Sequence, residues 1–442
     1  PCCDRRDAMR KIVSVLSAAV LTLTLCACSS GSSSSSITVA GSTTCLPIAE
    51  IAAEGFKEET GIDVLAESGF EALRGKRVGL ITNPTGVDRQ LRSTVDLLHE
   101  APDVELVALF APEHGVRGDV PAGAKVATTI DARTGVKVHS LYGATRKPRA
   151  EWLDGIDVLV YDIQDNGCRS YTFISTMGLA MQQCAATGTE FMVLDRPNPL
   201  GGNKVEGSPA SETRSFVNQF AIPYLYGLTP GELAEMLVGE GLIKLQKPLR
   251  LTIIPMQGWR RDMLYADTGL PWVLPSPHIP SAETAIHYPS TGILGELDWA
   301  SIGVGYTLPF RTIAAPWVNS VELAVRLNGL KLPGMRFRPI NYRPNYAFGK
   351  GTDMGGVEIF VTDFNKAPLT LIQFYAMQEL AAMYPAHKPT ATPARLQMFD
   401  KVTSRRLREA FFRRFHVADM ESIWNEGVDD FRDRSRQYHL YE

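Results

Sequence analysis

The sequence predicts an α/β fold: a Rossmann-like N-terminal domain with a mostly parallel sheet over residues 61–287, then a smaller α+β C-terminal domain over 288–442. Three stretches carry that expectation. VELVALFAPEHGVRG (Val104 to Gly118), IDVLVYDIQDNGCRSYTFIST (Ile156 to Thr176) and EFMVLDRPNPLGG (Glu190 to Gly202) each begin as a short, continuous apolar run. Such runs fit strands buried on both faces, as in parallel sheets. Each ends abruptly in polar residues, and open α/β sheets take their ligands in the crevice beyond the carboxyl ends of the strands.

Before that region lies a leader. Residues 1–8 read as a gene-model extension ahead of Met9, after which basic Arg10-Lys11 precede an apolar run from Ile12 to Leu25. Leu25-Cys26-Ala27-Cys28 closes it, so residues 9–28 resemble a bacterial lipoprotein signal with Cys28 as the acylated residue. About 15 apolar residues fall short of the roughly 20 that span a bilayer, which disfavours a transmembrane helix. Residues 29–60 read as a linker, with Gly31 to Ser36 a flexible tether. Ile37 to Thr60 is similar to the opening of periplasmic phosphate-binding proteins, where a turn like Ser42 to Thr44 offers amides and hydroxyls to phosphate. A segment of about 24 residues cannot build that two-lobed fold, so it reads as a leftover leader.

In the first domain, Arg77 to Thr82 is the first strand and Asn83-Pro84-Thr85-Gly86 its carboxyl-end turn, with a helix from Thr94 to His99. Asn83 either contacts a sugar hydroxyl or closes an Asx turn. The second strand stops at Pro112 and sets Glu113 beside His114, in what is either an acid/base presentation or a solvated connection. A third strand, Ile156 to Val160, ends in Tyr161, Asp162, Gln164, Asp165, Asn166 and Arg169, and a helical pattern begins near Tyr171. Phe191 to Leu194 is the fourth, followed by Asp195, Arg196 and Asn198. Asp and Asn are also ordinary helix caps, so any one of them reads as a cap when taken alone. Gly79 stands alone without the G-x-G-x-x-G spacing, so the Rossmann-like order implies no nicotinamide cofactor. The proline-rich LPSPHIP loop (Leu274 to Pro280) and Pro289 place the domain boundary near Tyr288. Beyond it, Ser320 to Leu327 and Leu369 to Met383 read as amphipathic helices, Val357 to Thr362 as a strand and Ser404 to Phe415 as a basic, solvated helix.

Composition narrows the partners. A chain of 442 residues, 45% hydrophobic with net charge −3, is globular material long enough for two cores, and it lacks the basic stripe of a nucleic-acid binder. Of seven cysteines, only Cys168, Cys184 and Cys45 lie beyond the signal; none has metal-ligand spacing, and two buried free thiols are expected at Cys168 and Cys184.

Several motifs in order resemble the exo-β-N-acetylmuramidases of the NamZ type: KRVGLITNPTGVD (Lys76 to Asp88), APEHG (Ala111 to Gly115), YDIQDNGCRSYTFIST (Tyr161 to Thr176), LDRPNPLGG (Leu194 to Gly202), GLTPGELA (Gly227 to Ala234), LPSPHIP, GGVEIFVTD (Gly355 to Asp363) and RSRQYHLY (Arg434 to Tyr441). The resemblance implies a glycoside hydrolase that trims N-acetylmuramic acid from non-reducing ends of peptidoglycan fragments. It implies Glu113 as general acid, beside His114, with Glu296, Asp165 or Asp162 as second carboxylate. Around the sugar it implies Asn83, Asp162, Gln164, Arg169, Tyr171, Asp195, Arg196, Asn198 and His278. The sugar's lactyl carboxylate needs a cation, and Arg169 or Arg196 would grip it, unless each only pairs with Asp162, Asp165 or Asp195. No cofactor or metal is implied, and contact with a membrane is through the lipid anchor alone, in the bacterial cell envelope. The sequence departs from the family where Trp299 replaces a usual asparagine, Val304 a usual arginine and His278 another asparagine, and where Leu225-Tyr226 stand in place of a basic residue. A divergent subgroup is expected, or a non-catalytic lipoprotein that binds muropeptides.

Overall fold

The structure, a computed structural model, describes residues 58–442 apart from 119, 122, 210–213 and 390. The signal reading, Cys28 and the phosphate-binding-like stretch as far as Lys57 lie outside the described residues. Among those described, the apolar runs form β1 (Arg77–Thr82), β2 (Glu105–Ala111), β5 (Val158–Asp162) and β6 (Glu190–Leu194). They are joined by β3 (Thr129–Ile130), β4 (Lys137–Ser140) and β7 (Leu251–Ile254) in one sheet of order β3-β4-β2-β1-β5-β6-β7. All neighbours are parallel except the short edge strand β3. β1 is central, with Leu80 opposite Leu109 on one side and Val160 on the other.

Helices on both faces explain why these strands are apolar throughout. On one face α1 (Gly61–Glu67) and α2 (Thr94–Glu100) bring Ile62, Leu65, Leu97 and Leu98 against Leu80, Leu109 and Val160. On the other, α3 (Phe173–Thr187) and α4 (Pro230–Gly239) bring Phe173, Met177, Leu233 and Leu237 against Ile81, Phe110, Leu159 and Phe191.

The C-terminal part is a smaller antiparallel sheet of β8 (Thr312–Ala315), β9 (Met335–Tyr342) and β10 (Met354–Val361), with β10 in the middle. Around it lie α5 (Ala282–Gly295), α6 (Ser320–Gly329), α7 (Ile372–Met383), α8 (Pro393–Val402) and α9 (Arg405–Phe412). Its core of Leu294, Leu323, Phe337, Val357, Phe374 and Trp424 also includes Cys168, Leu200, Tyr224 and Leu225 from the first part. The described residues therefore belong to one compact unit. Cys168 and Cys184 are both buried and free.

The boundary expected at 287/288 falls inside α5, which runs through Tyr288 and Pro289. Proline lacks the amide that would continue a helix ladder. Gln373 of α7 braces the turn that follows: its buried side-chain amide donates to the Pro289 carbonyl at 2.9 Å and accepts from the Leu294 N–H at 3.0 Å. β4, β7, β8 and β9 escape the sequence pattern because they are short or, in β9, alternate with charged residues and Pro339. The far C-terminal segment returns to the first part, where the Tyr441 hydroxyl donates to Asp195 at 2.6 Å and accepts from the Met256 N–H at 3.0 Å.

Replacing Gln373 with leucine strands a buried carbonyl and a buried amide, at about 1–3 kcal/mol for each unsatisfied group. Urea denaturation of Gln373→Leu should show a midpoint lowered to match a loss of about 2–4 kcal/mol.

Candidate active site

From β1 the chain winds one way through β2 and β4 and the other way through β5, β6 and β7, so the topological switch point lies between β1 and β5. The loops after β1, β2, β5 and β6 share that carboxyl edge. Asn83, Glu113, the 162–166 run and the 195–198 run therefore come to one side of the sheet, the side where open α/β folds bind ligands.

Glu113 is half-buried and held from two directions. Thr172, at the start of α3, donates its hydroxyl to Oε2 at 2.9 Å, and the Gly123 N–H donates to Oε1 at 2.9 Å. Beside it His114 adopts φ +74°, a left-handed conformation that costs a non-glycine residue about 1 kcal/mol or more and is typically retained at functional turns. Its Nδ1 meets the Val120 carbonyl at 3.1 Å. His278 stacks on Tyr346 at 5.8 Å, and burial together with nearby His114 holds it below the usual histidine range.

An aromatic wall faces Glu113. Tyr171 meets Tyr288 edge-on at 5.6 Å, and Tyr288 meets Phe310 at 4.9 Å. The Tyr288 hydroxyl lies 3.1 Å from Ser170 Oγ, which in turn donates to the Tyr224 hydroxyl. Burial pushes the Tyr288 phenol far above its usual range, and both Glu296 and Glu113 push it the same way, so this hydroxyl feels both carboxylates. Glu296 closes α5, and burial raises its carboxyl while Arg395 opposes the rise.

Deeper in the edge, Asp165 accepts from the Tyr226 hydroxyl at 2.5 Å and the Gly167 N–H at 2.8 Å, both on Oδ2. Gly167 is obligatory at φ +74°, since a Cβ would sit 2.4 Å from Asn198 Oδ1. Burial lifts the Asp165 carboxyl to about 6. Asp165 Oδ1, Gln164 Oε1, Asn83 Nδ2 and both amide atoms of fully buried Asn166 have no hydrogen-bond partner in the protein. Buried polar groups are nearly always paired, so such a concentration on the loops after β1 and β5 marks polar recognition rather than packing.

Other expected site residues are structural bolts. Asp162, expected as a second carboxylate, is fully buried and binds Arg196 twice, at 2.5 and 2.9 Å, while Thr94 donates to its Oδ2. Arg196 also donates to the Val87 carbonyl, so its charge is neutralised and is not free to grip a sugar acid. Arg169 neither grips nor pairs: it donates to the carbonyls of Ser208, Ile222 and Val402, joining α8 to the first part. Asp195 accepts from Arg196 N, Gly231 N, Thr229 Oγ1 and the Tyr441 hydroxyl, and Asn198 closes an Asx turn onto Leu200 and donates to Leu228. Asn83 keeps both readings, with Oδ1 closing the turn at Thr85 and Nδ2 unpaired.

Sequence reasoning missed Thr172, Tyr142, Tyr288 and the depth of Asn166, for which only adjacency to the recognised motifs offered a signal. Of the departures, Trp299 is taken up by the C-terminal part, donating to the His387 carbonyl at 2.8 Å and packing on Trp317. Val304 extends the apolar wall with Ile279, Phe310 and Tyr288, and Tyr226 supplies a neutral donor to Asp165.

A carboxylate beside an aromatic wall and a polar floor, at the carboxyl edge of a parallel α/β sheet, is an arrangement that glycoside hydrolysis can use, and the family resemblance makes that class specific. The chain belongs to the exo-β-N-acetylmuramidase NamZ family, whose N-terminal model matches residues 78–283 and whose C-terminal model matches 286–441. It is 46% identical over 330 residues to the peptidoglycan β-N-acetylmuramidase NamZ of Bacillus subtilis (strain 168), a match covering 74% of this chain and 78% of that protein. Among solved structures it is similar to a DUF1343 family protein of Bacteroides fragilis NCTC 9343, at 54% identity and TM-score 0.84, covering 88% of this chain and 100% of that one. A second DUF1343 protein of that organism matches at 26% identity and TM-score 0.69, covering 87% and 99%.

Removing one partner of a buried ion pair costs about 3–5 kcal/mol. Arg196→Met should lose that much in chemical denaturation. Asp165 supplies a pH test. Its folded carboxyl, about 6, lies above the ordinary 3.8, so the folded state binds the extra proton and Asp165's contribution is present at low pH and lost as pH rises toward 6. Between about pH 4 and 6 the parent should lose stability relative to Asp165→Asn in parallel urea titrations.

Proposed function

We propose that the protein is an exo-acting glycoside hydrolase that releases N-acetylmuramic acid from non-reducing ends of peptidoglycan fragments. The observation that carries the reading is Glu113, fixed at the end of β2 by Thr172 and Gly123 and facing the aromatic wall. In the proposed mechanism Glu113 delivers its proton to the glycosidic oxygen as the bond to the anomeric carbon breaks, and a water molecule supplies the hydroxyl that carbon gains, its remaining proton passing to a carboxylate. The aromatic wall takes the apolar face of the ring and Asn83 and Asn166 receive its polar groups.

For the second carboxylate we favour Glu296, which makes no ion pair among the described residues and, like Glu113, lies close enough to raise the Tyr288 phenol. Asp162 is excluded by Arg196, and Asp165 is 2% exposed with one oxygen saturated, a positioning rather than a reacting group. The rival reading, a lipoprotein that binds muropeptides without turnover, draws on Trp299 and Val304, of which the first packs on Trp317 in the C-terminal part and the second keeps the wall apolar.

Location belongs to the same proposal: Cys28 would carry the lipid anchor and hold the enzyme in the bacterial cell envelope, where its substrate lies. Support comes from the Leu25 to Cys28 motif and the serine-rich tether behind it. Palmitate labelling of the expressed chain should mark the parent and leave Cys28→Ala unlabelled.

For the chemistry, the full chain should free N-acetylmuramic acid from N-acetylmuramyl-N-acetylglucosamine. Glu113→Gln should lose about 10²–10⁴-fold in kcat, the usual worth of a general acid. Binding of the disaccharide with no turnover by the parent would turn the reading to the rival.

A further inference from the structure

One cation beside the catalytic carboxylate has no acidic partner. Arg146 lies in the loop after β4, with its guanidinium carbon 3.6 Å from the centroid of the Tyr142 ring and 4.5 Å from that of Phe216. The two rings are themselves 6.2 Å apart, so the guanidinium is clasped between them. Its Nη1 is buried without a hydrogen-bond partner, and Arg146 makes no ion pair among the described residues. By contrast, Arg196 is paired with Asp162 and donates to the Val87 carbonyl, and Arg169, also without an acidic partner, donates to three carbonyls deep between the two parts. Stacking on aromatic faces fixes a guanidinium's plane while leaving its N–H edge available for an in-plane, bidentate partner.

Its position ties it to the reaction. Burial raises the Tyr142 phenol, Arg146 opposes that rise and Glu113 adds to it, so the ring that stacks on Arg146 also lies near Glu113. A ligand carboxylate entering here would meet the negative Glu113, and only a nearby cation makes that approach favourable.

We propose that Arg146, clasped by Tyr142 and Phe216, is the specificity residue that binds the lactyl carboxylate of the terminal sugar. It thereby selects N-acetylmuramic acid over neutral N-acetyl sugars. The assignment rests on the hydrolase reading for the identity of the acid. It gives the cleft the cation that Arg169 and Arg196 do not supply, and it explains how Val304 is tolerated where relatives carry an arginine.

The test is calorimetric binding of N-acetylmuramic acid and of its lactyl carboxamide to the full chain, to Arg146→Met and to Arg146→Lys, with melting curves confirming that the variants fold. The parent should prefer the acid by about 10- to 100-fold, the worth of a charge-assisted bidentate contact. Arg146→Met should erase that preference without weakening the amide, and Arg146→Lys should keep part of it. A parent that does not distinguish acid from amide, or a methionine variant that weakens both alike, overturns the proposal. Hydrolysis gives a second readout: KM for the disaccharide should rise in Arg146→Met more than kcat falls. A loss confined to kcat, with the binding preference intact, would place Arg146 on Glu113 instead and also overturn it. A parent that binds the acid selectively but hydrolyses nothing would sink the hydrolase reading while leaving Arg146 in its role.

Discussion

The buried pair of Asp162 and Arg196 holds the geometry on which the cleft depends. It joins the end of β5 to the loop after β6, and through Thr94 and the Val87 carbonyl it also gathers the start of α2 and the loop after β1. Burying two charges costs more than their attraction returns unless the remaining donors and acceptors are matched, and here they are. What the arrangement secures is the spacing of three loops along one sheet edge. Asn83, Gln164 and Asn166 project from those same loops, so their unpaired amides stand at distances set by an ion pair that touches no ligand.

A second constraint is that the two parts do not close separately. α5 begins at the end of one and finishes inside the other, and it carries both Tyr288 of the aromatic wall and, at its carboxyl end, Glu296. Tyr224, Leu225 and Cys168 from the first part are buried in the core of the second, and Arg169 reaches the Val402 carbonyl. The cleft therefore has one side built by a parallel sheet and the other by a helix braced from α7 after Pro289. Rigid elements on both sides suit a reaction in which a proton donor must be placed within a fraction of an ångström.

Much of this could be read from the residues alone, and the division between what could and could not has a physical cause. Strand runs are local: Arg77–Thr82 emerges with its bounds intact, and the polar endings after β2, β5 and β6 mark the functional edge, because a parallel sheet must bury both faces and present its loops. Partnership is not local. Asp162 meets Arg196 across 34 positions and Arg169 meets Val402 across 233, so nothing near either arginine reveals that its charge is already committed. Arg146 shows the converse. It sits in a loop with no catalytic signature, and only its clasp between Tyr142 and Phe216 distinguishes it from a solvated side chain. Pro289 lies inside α5, where Gln373, 84 positions away, bonds its carbonyl, a partnership no local pattern reveals.

The hydrogen bond from Tyr441 to Asp195 spans 246 positions. At a synthesis rate of about 5–20 residues per second, the first part of the chain would be made on the order of 10–50 s before this donor exists. Throughout that interval Asp195 lacks one of its donors and the Met256 amide lacks its acceptor, so the edge of β6 stays provisional while the rest of the sheet is ready to form. The order in which the chain emerges thus separates the assembly of the sheet from the locking of the edge that carries Asp195.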